Sequence, residues 1–169
     1  MRNAQIMIRP VRTTDAGQIA DIYNYYVQNT IVTFEEEPVG AEEMERRIAE
    51  ITPSYPWLVS EEEGDVLGYS YARRWKGRRG YRFSVESTVY LKNGYSGRGL
   101  GTTLYTALIQ ELRRMGIHAV MGGIALPNDA SRRLHEKLGF QKVAQLKEVG
   151  LKFGEWIDVG YWELLLSPQ

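Results

Sequence analysis

The chain has 169 residues, the size of one ordinary domain, with 43% hydrophobic and 25% charged residues, a balance that excludes disordered and fibrous classes. Its 21 basic and 21 acidic residues cancel, so no global field draws nucleic acid. With no cysteine, no apolar run near the length of a membrane span and no signal-peptide core within Met1 to Arg9, disulfides, thiolate metal sites and a cysteine nucleophile are excluded, and the expectation is one cytoplasmic domain over 1–169 with no membrane partner.

Ile6, Ile8 and Val11 predict a first strand ending near Arg12. Thr13 or Thr14 can cap a helix in which Ile19, Ile22, Tyr23 and Tyr26 recur at helical spacing. Met44, Ile48 and Ile51 predict a second helix, stopped by Pro53. Trp57 to Ser60 and Val66 to Ala72 read as strands around a Glu-Gly-Asp turn, and Phe83 to Leu91 as a longer strand. Leu104, Leu108, Leu112 and Met115 mark an amphipathic helix ending at Gly116. Ile117 to Ile124 is a strand. Asn128 or Asp129 caps a helix carrying Leu134 and Leu138 and ended by Gly139, and two strands follow at about 140–149 and 156–166. The order β-α-α-β-β-β-α-β-α-β-β combines a three-strand antiparallel meander with crossovers that demand parallel pairing. This is an α+β fold, helices packed on a mixed sheet.

The loop Tyr95-Ser96-Gly97-Arg98-Gly99-Leu100-Gly101 joins the strand ending at Leu91 to the helix that begins near Thr102. Glycines let a backbone approach a ligand closely, and the helix start offers unpaired N–H groups and a positive dipole end. Together they suit a pyrophosphate, with Arg98 at the rim. A plain structural turn is the rival. A dinucleotide-binding loop wants an early strand and an acid about twenty residues on, where this chain has Val120, Met121, Gly122 and Gly123. A Walker A loop lacks its Gly-Lys-Ser/Thr. Coenzyme A is the ligand that fits this position in the chain.

Val89-Tyr90-Leu91, a short loop and Gly-Arg-Gly-Leu-Gly before a helix resemble the acyl-CoA-binding motif of the GCN5-related N-acetyltransferases (GNAT). The segment from Leu126-Pro-Asn-Asp129 to Leu138-Gly-Phe140 resembles the second motif of that superfamily. Tyr55-Pro-Trp-Leu-Val59, Trp75-Lys76, Glu86-Ser-Thr-Val-Tyr90 and Gly154-x-Trp156-x-Asp158-Val-Gly160 are similar to the phosphinothricin and methionine sulfoximine acetyltransferases within it. The likeness runs over about residues 6–166. It implies the GNAT fold, acetyl-CoA as cofactor, a small amine acceptor and a homodimer, to which Trp156, Tyr161 and Trp162 could contribute. Ser96 departs from the Gln or Arg usual at the loop's start, and Arg98 is placed to supply the lost donor.

Acetyl transfer to an amine needs a free lone pair, hence a base in a partly desolvated site. Glu86 sits mid-strand among Val85, Val89 and Leu91, an odd place for an acid unless it faces a cavity; a solvent-facing strand position is the alternative. By resemblance it matches the family's proposed general base. The amides of Val89, Tyr90 and Leu91 match the family's thioester and pantetheine site. Ser96, Gly97, Arg98, Gly99, Leu100, Gly101 and Thr102 match its pyrophosphate loop, and Asn128 and Ser131 its contacts to the cofactor arm, a role compatible with a simple helix cap. His135 stands where many relatives carry a tyrosine proposed to protonate the thiolate; a packed structural histidine is the rival reading. His118 reads as structural, and no cluster has metal-ligand spacing.

Phosphinothricin-like acceptors carry a carboxylate and a second polar or anionic group, for which Arg74, Arg78 and Arg82 are the candidate partners. By resemblance Phe34, Glu35, Trp75 and Tyr81 wall the acceptor pocket. Two alternatives stay open. The same fold can acetylate a peptide N-terminus, polyamine or aminoglycoside, the polycations drawn by an acidic cleft near Glu35, Glu36 and Glu37. A non-catalytic acyl-CoA sensor is the other.

Overall fold

A computed structural model describes residues 5–167 of the chain. It holds one seven-stranded mixed sheet with four α-helices. The strands are β1 (Met7–Pro10), β2 (Trp57–Glu62), β3 (Asp65–Arg74), β4 (Ser84–Leu91), β5 (Ala119–Ala125), β6 (Gln141–Lys152) and β7 (Glu155–Leu165). The helices are α1 (Ala16–Asn29), α2 (Ala41–Ile51), α3 (Leu100–Arg114) and α4 (Asp129–Lys137). Every expected element is present in its expected order.

The pairing differs from the expectation in one respect. In the sheet order β1-β2-β3-β4-β5-β7-β6, only β4 and β5 run parallel. The antiparallel meander has four strands, because β1 pairs β2. The crossover through α4 delivers β6 beyond β7, so β7 inserts between β5 and β6 and is antiparallel to both.

The two faces carry separate cores. On one, Leu104, Leu108 and Leu112 of α3 lie fully buried against Val85, Val120 and Trp162. Met115 does not join that stripe and is exposed, since the chain turns away at Gly116, which has φ +74°. On the other face, Ile19 and Ile22 of α1 and Met44 and Ile48 of α2 cover Trp57, Val59 and Tyr69. Trp57, Tyr69 and Tyr71 stack there, with 4.2 Å between the Trp57 and Tyr71 ring centroids.

Two local signals were displaced. The residue before α1 is Asp15, not Thr13 or Thr14, which instead form a single 3-10 turn. Asp15 Oδ2 accepts the Arg12 amide at 2.7 Å and the Arg9 guanidinium at 2.8 Å, while Arg9 also reaches Glu61. The β6–β7 turn falls at Phe153 and Gly154, later in β6 and earlier in β7 than expected. Both have positive φ (51° and 74°), as a tight two-residue hairpin requires.

Candidate active site

β4 and β5 are joined over only three register pairs, Ser84 with Ala119, Val85 with Val120 and Glu86 with Met121. Beyond them the strands part. The hydrogen bonds Trp75 N to Ser84 O and Lys92 N to Leu67 O fix the alternation, so the even residues of β4 turn their amides to β3. The odd residues face β5, which leaves the N–H groups of Val89 and Leu91 at the opening without a strand partner. The expectation for three amides is thereby corrected at Tyr90, whose N–H belongs to the β3 pairing. Its ring walls the cleft instead, edge-on to Tyr23 and Tyr26. Tyr26 donates its hydroxyl to the Leu91 carbonyl at 2.6 Å, anchoring α1 at the same opening.

The loop from Gly94 to Gly99 follows. Gly94, Gly97 and Gly99 have φ of +87°, +78° and +78°, a region that L side chains rarely adopt. Gly99 is the cap residue of α3 and has no side chain to satisfy the helix start. The first bond of the helix closes from Thr103 N to Gly99 O, so the amides of Leu100, Gly101 and Thr102 open toward the loop. Ser96 and Arg98 are exposed, and the Arg98 guanidinium lies 5.2 Å over the Tyr95 ring. Open space surrounds Gly97 and Gly99. An anion can settle on these amides without displacing any side chain, and the dipole of a 15-residue helix favours it. At the start of α4, Asn128 Oδ1 accepts the Ser131 amide at 3.1 Å, the expected cap.

On the α1–α2 side of the sheet the parting strands open into a cleft of about 1140 Å³. Glu86 and Thr88 of β4, Tyr71 and Arg73 of β3, Arg47 of α2, and Gly123 and Tyr161 of β5 and β7 line it. Glu86 therefore faces a cavity. Its Oε1 accepts Arg73 Nη2 at 2.8 Å. Phe34, Glu35 and Arg74 line the same cleft. Glu35 is clamped by both terminal nitrogens of Arg47, at 2.9 and 2.5 Å, and that pair holds its carboxyl below the usual range. The cleft thus matches three carboxylates, Glu35, Glu50 and Glu86, with Arg47, Arg73 and Arg74. Glu36 and Glu37 are exposed outside it.

The remaining acceptor candidates stand further out. Trp75 packs edge-on against Tyr161, ring centroids 5.5 Å apart, and so buttresses the cleft from its rim. Arg78, Tyr81 and Arg82 are exposed on the β3–β4 connection, where Arg82 lies over Phe83 rather than facing the cleft. Arg47, Arg73, Tyr71 and Tyr161 were missed as site residues. Arg73 is one of six basic residues between positions 73 and 82, but the strand register that puts it opposite Glu86 is a tertiary fact.

His135 lies on the opposite face of the sheet from Glu86. It is 5% exposed, packed against Tyr105 and Phe140, and a Cβ at Gly122 would collide with its Nε2 at 2.5 Å. Its Nδ1 is 2.7 Å from the Ser131 carbonyl, which can only accept, so Nδ1 carries the proton. Nε2 then accepts from the Tyr105 hydroxyl at 3.0 Å, and Tyr105 meets Ser87 at 2.5 Å. Burial pushes the imidazole below its usual range, so the ring is neutral. In this geometry the one ring proton of His135 is committed to the Ser131 carbonyl.

A family model described as "Acetyltransferase (GNAT) domain" matches residues 8–160. A phosphinothricin N-acetyltransferase of Streptomyces viridochromogenes is 42% identical over 158 residues, covering 94% of this chain and 86% of the relative. An L-methionine sulfoximine/L-methionine sulfone acetyltransferase of Salmonella typhimurium is 39% identical, covering 96% of this chain and 95% of the relative. Among solved structures, an acetyltransferase of Salmonella typhimurium with its cofactor acetyl-CoA superposes with a TM-score of 0.94 at 37% identity, covering 98% of this chain and 96% of the other.

Proposed function

The chain belongs to the GNAT acetyltransferase family and is an N-acetyltransferase that uses acetyl-CoA, and on that premise we propose that it acetylates the amino group of a small amino-acid-like acceptor of the phosphinothricin or methionine sulfoximine type. One observation carries the reading. Glu86, the only acid of β4, points into the cleft at the level where β4 and β5 part and leave strand amides free.

The residues fit the cofactor. The open glycine backbone at Gly97 and Gly99 and the first-turn amides of Leu100, Gly101 and Thr102 suit a pyrophosphate, with Ser96 and Arg98 at the rim. The unpaired amides of Val89 and Leu91 suit the amide-rich arm and the thioester carbonyl, and the α4 cap formed by Asn128 and Ser131 is the candidate contact to the cofactor arm. When bound, acetyl-CoA supplies an activated acyl group on a thiolate leaving group. Glu86 receives a proton from the acceptor ammonium, directly or through a water, which frees the nitrogen lone pair. Phe34, Glu35, Tyr71, Trp75 and Tyr161 confine the acceptor, and Arg73 and Arg74 face its anionic end, with Arg78, Tyr81 and Arg82 as outer contacts.

The balanced charge of the cleft speaks against a polyamine or aminoglycoside acceptor, because Arg47 already neutralises Glu35. The same reading takes in one catalytic domain over 1–169, cytoplasmic action and a homodimer. Residues 1–4 and 168–169 lie outside those described. Among the described residues no helix is long and apolar enough to cross a membrane. The outermost strand β6 exposes Val143, Leu146, Val149 and Leu151, an apolar edge that supports pairing of two copies.

The test is thiol release from acetyl-CoA with phosphinothricin, methionine sulfoximine, ordinary amino acids, spermidine and a peptide N-terminus. Turnover of the first two supports the proposal. Turnover of spermidine or peptide alone overturns the acceptor, and binding without thiol release overturns the enzyme.

A further inference from the structure

Arg73 and Glu86 are direct cross-strand partners, and their ion pair closes over the cleft at 2.8 Å. The Glu86 side chain is 22% exposed and that of Arg73 56%, so the carboxylate is held by the wall while the guanidinium reaches out toward solvent. The other cleft cations are placed differently. Arg47 is tied to Glu35 and Glu43, and Arg74 has no ion-pair partner among the described residues. Arg73 alone is bonded to the proposed base.

That bond conflicts with the chemistry assigned to Glu86. An acceptor amine arrives as an ammonium, and it must share the carboxylate with a guanidinium that already occupies one oxygen and repels a second cation. An exposed ion pair is weak and quickly exchanged, so Arg73 can pass from Glu86 to another anion at little cost. A zwitterion brings that anion with it. We propose that Arg73 is a specificity-determining residue: it covers Glu86 in the free enzyme and passes to the carboxylate of the acceptor, so that zwitterionic amino acids enter and amines without an adjacent anion do not. The proposal rests on Glu86 being the base.

The exchange balances. One protein ion pair and one zwitterion become two ion pairs, Arg73 with the acceptor carboxylate and the acceptor ammonium with Glu86. No covalent bond breaks in this step. Glu86 then takes one proton, and the lone pair left on nitrogen is the nucleophile. The competing role for the pair is a standing cross-strand contact of the sheet.

The two roles separate on paired acceptors. L-Methionine sulfone and its carboxamide differ only in the anion, and kcat/KM for each is measured with the full-length wild type and with Arg73→Gln, Arg73→Lys and Glu86→Gln, alongside thermal melting. The wild type is expected to favour the acid. Arg73→Gln should lower kcat/KM for the acid roughly 10- to 100-fold, the scale of one charged hydrogen bond. It should raise that for the carboxamide, while Arg73→Lys keeps part of the preference. Equal change toward both acceptors, or no change, overturns the proposal. Full activity in Glu86→Gln sinks the base reading instead, and failure of the wild type to acetylate the acid sinks both. An inactive Glu86→Gln with an indifferent Arg73→Gln leaves the base standing and removes Arg73 from specificity.

Discussion

Glu86 and His135 are both titratable groups within the strand and helix motifs, yet their surroundings differ: one lines a cleft and the other is packed in the core. Glu86 faces a cavity with one oxygen held by the half-exposed Arg73 guanidinium. Glu86→Gln is expected to lower kcat by roughly 100- to 10,000-fold, with acetyl-CoA affinity and melting temperature nearly unchanged; parallel loss of cofactor binding would argue for a structural carboxylate. His135 has both nitrogens engaged inside a packed core. His135→Asn is therefore expected to cost stability first, about 1–3 kcal/mol from orphaned partners and a cavity, with kcat per folded molecule changed little. A large drop in kcat at an unchanged melting temperature would restore a catalytic role. The sequence carried the position of Glu86 well, because an acid in an apolar strand demands an explanation. It could not carry its partner, since Arg73 is one of six basic residues within ten positions and only the β3–β4 register singles it out.

At the scale of elements, the glycine loop was legible because its backbone needs are written into residue type. Gly99→Ala puts a Cβ at φ +78°, a strain of about 1–2 kcal/mol. It should weaken acetyl-CoA binding severalfold, seen by calorimetry, while the acceptor KM holds. The hairpin of β6 and β7 was legible as two strands but not as a wall of the cleft. Gly150 lies beneath Phe34, and a Cβ there would come within 2.2 Å of the ring. Lys152 is fully buried and donates to the Thr33 carbonyl at 2.6 Å, so the hairpin fastens the loop that bears Phe34 and Glu35. Gly150→Ala should raise the acceptor KM and leave acetyl-CoA binding alone, which steady-state kinetics with each substrate varied will decide. Such contacts join residues more than 100 positions apart, beyond any local pattern. The displaced start of α1 has a more local cause. Asp15 makes no side-chain cap bond to α1; its carboxylate turns back to the Arg12 amide and the Arg9 guanidinium, which fixes the 3-10 turn Thr13–Asp15 ahead of the helix.

That cluster acts on the whole molecule, because it ties β1, β2 and the entry to α1 through one part-buried guanidinium. Burial alone would raise the Asp15 carboxyl, but the Arg9 guanidinium and the Arg12 amide outweigh it and hold the group below its usual value. A carboxyl lowered by folding stabilises the chain above its ordinary titration range near pH 4 and loses that contribution as pH falls further. Urea midpoints should therefore drop on acidification below about pH 4, and Asp15→Asn should flatten that drop while costing roughly 2–3 kcal/mol at neutral pH. A mutant with an unchanged acid limb would remove Asp15 from the account. The strand order was the least legible feature at this scale. A sequence shows that β5, α4 and β6 follow one another, but not that β7 will slip between β5 and β6.

The three register pairs between β4 and β5 divide the chain in a way that its connectivity preserves. Everything before the glycine loop builds one antiparallel unit and everything after α3 builds another, with no strand exchanged between them. Each half can assemble from nearby stretches of polypeptide, and α3, resting on β2, β3 and β4, is the strap that brings the second half to the first. Cutting the chain between Lys92 and Ser96 should accordingly yield two fragments that recombine when mixed. Their recombination should be aided by acetyl-CoA, because a ligand seated across the join binds the assembled pair and neither piece alone.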